Sequence, residues 1–410
     1  MTVRWITERL GTSPWREQIA TGPIGIVDVR LLRDAAGNSP TLIREKIAEA
    51  RNYLRRGDPV IICCDYGISR SNAIAAAVLA EDANISLSES LQRVIEATGE
   101  TGIKIDFLED LRKALNTKRQ RPYDTKVLIL GLDGFMGRSV RHLIDPALPI
   151  ADTGRDQALI RNPVLLDAAL DEAAADQILF CWHPRQLDTN SAAGHLITGL
   201  RNVLEVCRVH QAGLIFLSGQ QVFAGNCANG RVSVSETDTP QPSGAAGDAL
   251  FLGETLVKQY EARHGLATLV VRPSHVYGPG DDRPGILNTM VRKALAKEQI
   301  ITHQFQNGAP FIDLIHVHDF SRAIQLAIEK QLTGVLHLSS GNPVTTKQLA
   351  HLVVRMAGSS SRVASIEMPG NHRIVQLEST IANTTLDWRP AINLEAGVSK
   401  LIAHSRPATF

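Results

Sequence analysis

The chain has 410 residues, too many for one ordinary hydrophobic core, so two or more domains are expected. Apolar residues make up 44% and charged residues 21%, which excludes a disordered chain and describes a globular one. A formal net charge of +1 offers no concentrated basic field, so neither nucleic acid nor an acidic membrane surface is expected as a partner.

The amino-terminal MTVRWITERL lacks the apolar core of a signal peptide, and no stretch is long enough to span a bilayer; a cytoplasmic location is expected. From Pro23 to about Leu115 the pattern runs strand (IGIVDV), helix (PTLIREKIAEARNYLRRG), strand (PVIICC) and helix (SNAIAAAVLAEDA). Two more helical stretches follow, ending near DFLEDLRKAL. NTKRQRPYDT, residues 116–125, is polar and basic without an apolar period and reads as a linker between a unit at 1–115 and a second at 126–410. The second unit opens with KVLILG. Its apolar runs QILFCW, GLIFLSG and ATLVVRP alternate with helices in the manner of a parallel, doubly wound sheet, so both units belong to the α/β class. Five cysteines (Cys63, Cys64, Cys181, Cys207, Cys227) form neither a disulfide nor a metal-ligand framework, and their odd count fits a reduced compartment.

The first candidate site is CCDYGISRS, residues 63–71, between the strand PVIICC and the next helix. A short turn there aims successive N–H groups of Asp65, Tyr66, Gly67, Ile68, Ser69 and Arg70 at one point, and the helix start adds partial positive charge. Such a nest suits a dianionic phosphate and would lower the pKa of Cys64 below the free value of about 8.5. The Arg70 fork can take two phosphate oxygens, and Gly67 lets the turn tighten.

With its Cys-x5-Arg-Ser spacing the stretch resembles the cysteine-dependent phosphatases, especially the dual-specificity type, over roughly residues 1–115. The resemblance implies Cys64 as nucleophile, Arg70 as phosphoryl ligand and Ser71 as the hydroxyl that assists breakdown of a phosphocysteine. It also implies Asp34, thirty positions upstream, as general acid, with Asp28 as runner-up inside a strand. The implied partner is a phosphorylated protein or small phosphomonoester, with no cofactor or metal. Cys63 stands where that family usually has histidine and reads as a small core residue.

In the second unit GLDGFMG, residues 131–137, gives Gly131, Gly134 and Gly137 the spacing of a dinucleotide pyrophosphate turn, with Phe135 and Met136 opening the helix. Together with TGLRNVLEVCRVHQ, FLSGQQVF, VVRPSHVYGPGDD and FIDLIHVHDFSRAI, it resembles the extended short-chain dehydrogenase/reductase family, the NAD-dependent epimerases and dehydratases of nucleotide sugars, over 126–405. The resemblance implies a Rossmann-type sheet with a small carboxy-terminal substrate-side lobe and a site for NAD or NADP. Pro273 and Val276 would line that site. Asp152 would meet a ribose hydroxyl, or Arg155 a 2′-phosphate. A nucleotide sugar is the implied ligand, and a homodimer through this unit the implied assembly. The tyrosine, lysine and hydroxyl that such chemistry uses fall on Ala246, Leu250 and Gly219, with Ser218 as a displaced hydroxyl. Trp182 occupies a place usually left small for the cofactor, and His183 reads as structural.

The leading expectation is therefore a phosphatase carrying a second unit that binds a dinucleotide or nucleotide sugar without transforming it. Two alternatives stand beside it: a nucleotide-sugar epimerase or dehydratase with an accessory first unit, and a scaffold or sensor with no turnover.

Overall fold

Five consecutive apolar residues, Val60–Cys64, leave no polar face, and such a strand is stable only when covered on both sides. It is the third strand across a sheet with spatial order β1-β2-β4-β3, formed by β1 (Arg4–Trp5), β2 (Leu10–Pro14), β3 (Gly25–Asp28) and β4 itself. Both β2 and β3 run parallel to β4, and β1 turns back antiparallel to β2. The helix α1 (Pro40–Arg56) starts on the Ser39 hydroxyl, which accepts from the Leu42 N–H, and stops at Gly57 with φ +87°. In α2 (Arg70–Ala83) every residue from Ser71 to Ala80 is buried, six of them small enough for close approach to β4. Two further helices, α3 (Leu87–Thr98) and α4 (Ile105–Leu115), complete this layer.

The computed structural model describes the chain apart from residues 1–2, 16–23, 116–125, 145–149, 152–155, 183–186, 188, 226–230, 373 and 407–410. The stretch read as a linker, Asp152, Arg155, His183 and Cys227 thus lie outside the described residues. By contact the chain divides into two compact units. The first joins Met1–Asp124 to Gln157–Ala175 and Glu205–Ala212, and the second is made of Thr125–Asp156, Asp176–Leu204 and Gly213–Phe410. Within the first, Arg112 of α4 pairs with buried Asp167 of the helix Pro163–Ala173, and His210 Nε2 meets the same carboxylate at 2.6 Å.

In the second unit β5 (Val127–Leu130), β6 (Ile150–Ala151), β7 (Gln177–Phe180), β8 (Gly213–Leu217), β9 (Thr268–Pro273) and β10 (Gly334–Leu338) form an all-parallel sheet in the order β6-β5-β7-β8-β9-β10. Val127–Leu130 of β5, Ile178–Phe180 of β7 and Leu214–Leu217 of β8 are buried and apolar throughout, as parallel strands covered on both faces require. The chain leaves β5 toward β6 on one side and returns to β7 on the other, so the strand order reverses at β5/β7. Beyond the carboxyl ends of such a pair lies the crevice where open α/β sheets bind ligands. The expected Rossmann-type parallel sheet is thus present. A second apolar core, including Met290, Val291, Leu349, Val353 and Leu401, is built by the helices Ile286–Leu295, Thr346–Ala357 and Leu394–Ser405. Among the described residues no helix is long and apolar enough to cross a membrane.

Candidate functional site

The first place to look is the turn after β4. The Cys64 thiol is 2% exposed, accepts the Gly67 N–H at 3.2 Å and lies 3.3 Å from the Ser71 hydroxyl. Burial opposes its thiolate, but the Ser71 hydroxyl and the N–H groups of Ser71, Gly67 and Tyr66 outweigh burial and hold its pKa below the ordinary thiol value. Cys63, fully buried, is pushed up to about 12 by desolvation, with Asp28 adding to the rise, as befits an inert core residue. Gly67, at φ +69°, sits so close to β2 that a Cβ would lie 2.5 Å from the Pro14 nitrogen.

The remaining groups of this turn are engaged with the protein itself. Arg70 donates through Nη1 to the carbonyls of Leu32 at 2.8 Å and Arg30 at 3.1 Å, and through Nη2 to the Asp65 carboxylate. Its fork is therefore largely taken, and only the buried Nε is without a partner. Asp34 accepts the Ser69 hydroxyl at 2.5 Å, and Ser69 in turn accepts the Lys104 N–H at 3.1 Å. Asp28 is clasped by Arg30, whose side chain donates to both its oxygens and, as the largest influence, lowers its pKa. Tyr66 is largely exposed and Ile68 half-buried at the turn's outer side.

The second place is the glycine turn between β5 and α5 (Phe135–Leu143). Gly131 has φ +113°, and a Cβ there would stand 2.6 Å from the Trp182 nitrogen, so the turn lies directly against the end of β7 at the strand-order reversal. A Cβ on Gly137 would stand 2.2 Å from the Gly131 carbonyl oxygen. Helix and strand approach only because both positions lack a side chain. Gly134 is the N-cap, so the N–H groups of Phe135, Met136 and Gly137 begin α5 without a partner inside the helix. Trp182 is 8% exposed and turns its indole onto the Phe180 ring, with centroids 6.4 Å apart.

Beside Met136 a cleft of about 330 Å³ opens, lined among others by Ser218, Gln220, Gln221, Pro273, His275, Val276 and Arg283. Its base is set by a buried ion pair. Arg272 of β9 donates to both oxygens of Glu254, at 2.9 and 2.6 Å, and the Ser218 hydroxyl donates to the same carboxylate at 2.6 Å. Ser218 is thus committed to Glu254. His337, against Arg272, is driven down to about 3 by burial first and the guanidinium second. Gly219, on the place of the expected hydroxyl, has its side-chain space filled by Gln221, whose Oε1 lies 2.2 Å from where a Cβ would be. Leu250 is buried at 4% exposure in the helix Ala245–His264, one turn after Ala246. His275 Nδ1 meets the Gln220 amide nitrogen at 2.9 Å. Sequence reasoning passed over Gln220, Gln221 and His275, although all three lie inside FLSGQQVF and VVRPSHVYGPGDD. Their signal was a chemical side chain within a stretch already tied to a cleft. Among the described residues no cluster of His, Cys, Asp and Glu could hold a metal ion.

Comparison with known proteins places this second unit. A putative UDP-glucose 4-epimerase of Methanocaldococcus jannaschii is 22% identical over 50% of this chain and 67% of its own length. A UDP-glucuronate 4-epimerase of Arabidopsis thaliana is 24% identical over 67% and 69%, and a dTDP-glucose 4,6-dehydratase of Streptomyces niveus 24% over 62% and 77%. Among solved structures, UDP-glucose 4-epimerase of Thermotoga maritima with UDP-glucose superposes with a TM-score of 0.59 at 21% identity, covering 68% of this chain and 98% of that one. The Thermus thermophilus UDP-glucose 4-epimerase complex with NAD gives 0.58 at 20%, over 70% and 100%. These likenesses show the fold.

They also correct the leading expectation. The matching family model begins at residue 125, and the relatives it brings are epimerases, dehydratases and reductases rather than phosphatases. The reading of the chain as a cysteine-dependent phosphatase with a phosphoprotein partner and a non-catalytic second unit is overturned, and the occupied guanidinium of Arg70 and carboxylate of Asp34 agree with that correction. Because the model described as RmlD substrate binding domain matches residues 125–379, well over half of the sequence, the chain belongs to that family.

Proposed function

We propose that the chain is an NAD(P)-dependent enzyme of the epimerase and dehydratase type, acting on the sugar of a nucleotide sugar. The observation that carries this reading is the meeting of the glycine turn and the polar cleft beyond the β5/β7 reversal. The relatives named above support the substrate class, and the NAD of the Thermus structure supports the cofactor class.

The residues present fit a dinucleotide. Gly131 and Gly137 let strand, turn and helix close on one another, since a Cβ at either would meet main-chain atoms of Trp182 or Gly131, and Phe135, Met136 and Gly137 supply main-chain N–H groups and the positive end of α5 to a pyrophosphate. Pro273 and Val276 form the apolar wall of the cleft beside Met136. When bound, the nicotinamide accepts or returns a hydride at a sugar carbon. Everything else falls to the chain's own groups. Arg283 carries a cation to the rim, placed by Asp281 at 2.7 Å and by the Val276 carbonyl at 2.7 Å, suited to a diphosphate. Gln221 offers a carboxamide at the place where relatives of this chemistry would use a hydroxyl, and can donate to a sugar oxygen as its charge changes.

The test is incubation of the intact chain with NAD+ or NADP+ and UDP-glucose, dTDP-glucose, UDP-glucuronate or GDP-mannose, followed by chromatography of the nucleotide sugars. Conversion of at least one is expected. Return of all of them unchanged would refute the reading.

A further inference from the structure

A cleft built for oxidation and reduction at a sugar hydroxyl needs a group that takes the hydroxyl proton. The side chains at the expected tyrosine and lysine places, Ala246 and Leu250, can carry none. Ser218 is spent on Glu254, and Glu254 is 1% exposed and bound by Arg272. Tyr277, although it lines the same cleft, is 3% exposed, and burial raises its pKa well above the ordinary phenol value, with Asp319 adding to the rise. Asp281 also lines the cleft, but its side chain is 7% exposed and is held by Arg283, itself a cation with no proton to accept, which leaves His275 among the described residues.

We infer that His275, oriented by Gln220, is the proton-carrying catalytic residue of this cleft, taking the hydroxyl proton of the sugar at Nε2. The inference rests on the function proposed above. His275 opens the short strand His275–Tyr277, one residue past β9 and beside the residues that wall the cleft, and its N–H is fixed by the Asp313 carbonyl at 3.2 Å. Its side chain is exposed although protein surrounds it, as befits a residue lining a concavity. The Gln220 carboxamide meets Nδ1 at 2.9 Å, and Nε2 has no partner among the described residues. As placed, the Gln220 carboxamide nitrogen donates to Nδ1, which leaves the ring proton on Nε2; a half-turn of the carboxamide puts its oxygen on an Nδ1–H, frees the Nε2 lone pair for the cleft and suits the imidazolium formed later. In the oxidising direction the C–H hydride leaves with its electron pair to NAD(P)+, the O–H proton goes to Nε2, and the C–O single bond becomes C=O. In the reducing direction each transfer reverses, and atoms and charge balance.

The surroundings favour the neutral base. Burial first, then the Arg283 cation, lower the pKa of His275 from its ordinary value, and Asp313 opposes them. Asp281, paired with Arg283, is the other charge on that side. Lowered basicity means that the base form persists at neutral pH, so the oxidising rate should rise with pH through a midpoint below about 6.5 and then level.

The experiment uses the intact chain with NAD+ and UDP-glucose, dTDP-glucose and GDP-mannose. His275→Ala should lower kcat by about 10² to 10⁴-fold with KM within a few-fold, flatten the acid limb of the pH profile, and regain part of its rate from added imidazole. His275→Gln, which keeps a polar side chain, should be as slow and bind the same nucleotide sugar equally well by calorimetry. A readout free of turnover is the NMR titration of the His275 ring in wild type, whose midpoint should move when the nucleotide sugar alone is added. Turnover of His275→Ala equal to wild type, or a titration that the sugar leaves unmoved, would overturn the inference alone. If wild type binds these sugars and converts none, the proposed function falls and the inference with it.

Discussion

Two turns in this molecule have the same architecture and different fates. Both join a buried parallel strand to a helix, β4 to α2 at Cys64–Ser69 and β5 to α5 at Gly131–Gly134, and both aim main-chain N–H groups at a point where an anion is stabilised. In the first, side chains close the turn upon itself: Arg70 donates to Leu32 and Arg30 carbonyls and to Asp65, and Ser69 bridges Asp34 and the Lys104 N–H. In the second, glycines let main chain pack on main chain, Gly131 against Trp182 and Gly137 against Gly131, at the one point of its sheet where strand order reverses. A complete set of reactive residue types is therefore weaker evidence of function than a turn placed where the strand order of its sheet reverses. The first region held every residue of a known chemistry and was misread; the second lacked the expected catalytic side chains and belongs to the family the comparisons show.

The contrast can be broken or sharpened by substitution. The largest effects should come from the buried ion cluster that each unit carries. Glu254→Ala strands Arg272 at 1% exposure and should destabilise the second unit by about 3–5 kcal/mol in urea unfolding. Asp167→Asn should act comparably on the first unit, by leaving Arg112 with a weakened partner. Burial opposes the Asp167 carboxylate, but Arg112 and His210 outweigh it and hold its pKa below the ordinary range. The carboxylate's contribution is thus complete above the unfolded value of about 3.9 and is lost as pH falls through the lower folded value. The stability gap between wild type and Asp167→Asn should accordingly narrow below about pH 4, and a gap independent of pH would show that the pairing does not govern it.

Next in size, Gly137→Val drives a side chain into the Gly131 carbonyl and should weaken NAD(H) or NADP(H) binding about 100-fold, close to 3 kcal/mol, by calorimetry. Unaltered affinity would remove this turn from the cofactor site. Gly67→Ala, the matching change in the first turn, meets Pro14 at φ +69° and should destabilise that unit by about 1–3 kcal/mol. It should leave nucleotide-sugar conversion unchanged.

Much of the architecture was legible because it depends on local pattern. PVIICC and KVLILG announce buried parallel strands by having no polar face, and the glycine spacing announces the turn that follows β5. What was not legible depends on partners distant in sequence. Nothing near Arg70 says that its guanidinium reaches the carbonyls of Arg30 and Leu32, forty and thirty-eight residues away. Nor does Ser218 signal that its hydroxyl is committed to Glu254, thirty-six residues on. Gln221 and His275 stand in short polar breaks between apolar runs, where no periodicity marks them, and their chemistry becomes visible only when the fold lines one cleft with both.

The central claim is that chemistry resides at the Gly131 turn and its cleft and not at Cys64. It is tested most directly by measuring conversion of the nucleotide-sugar panel with NAD+ or NADP+ by wild type, Cys64→Ser and Gly137→Val side by side. Wild type and Cys64→Ser should convert the same sugar at rates within about twofold, because the substitution touches no residue of the cleft, while Gly137→Val should fall by about 100-fold at limiting cofactor. Loss of conversion in Cys64→Ser with Gly137→Val still active would contradict the account.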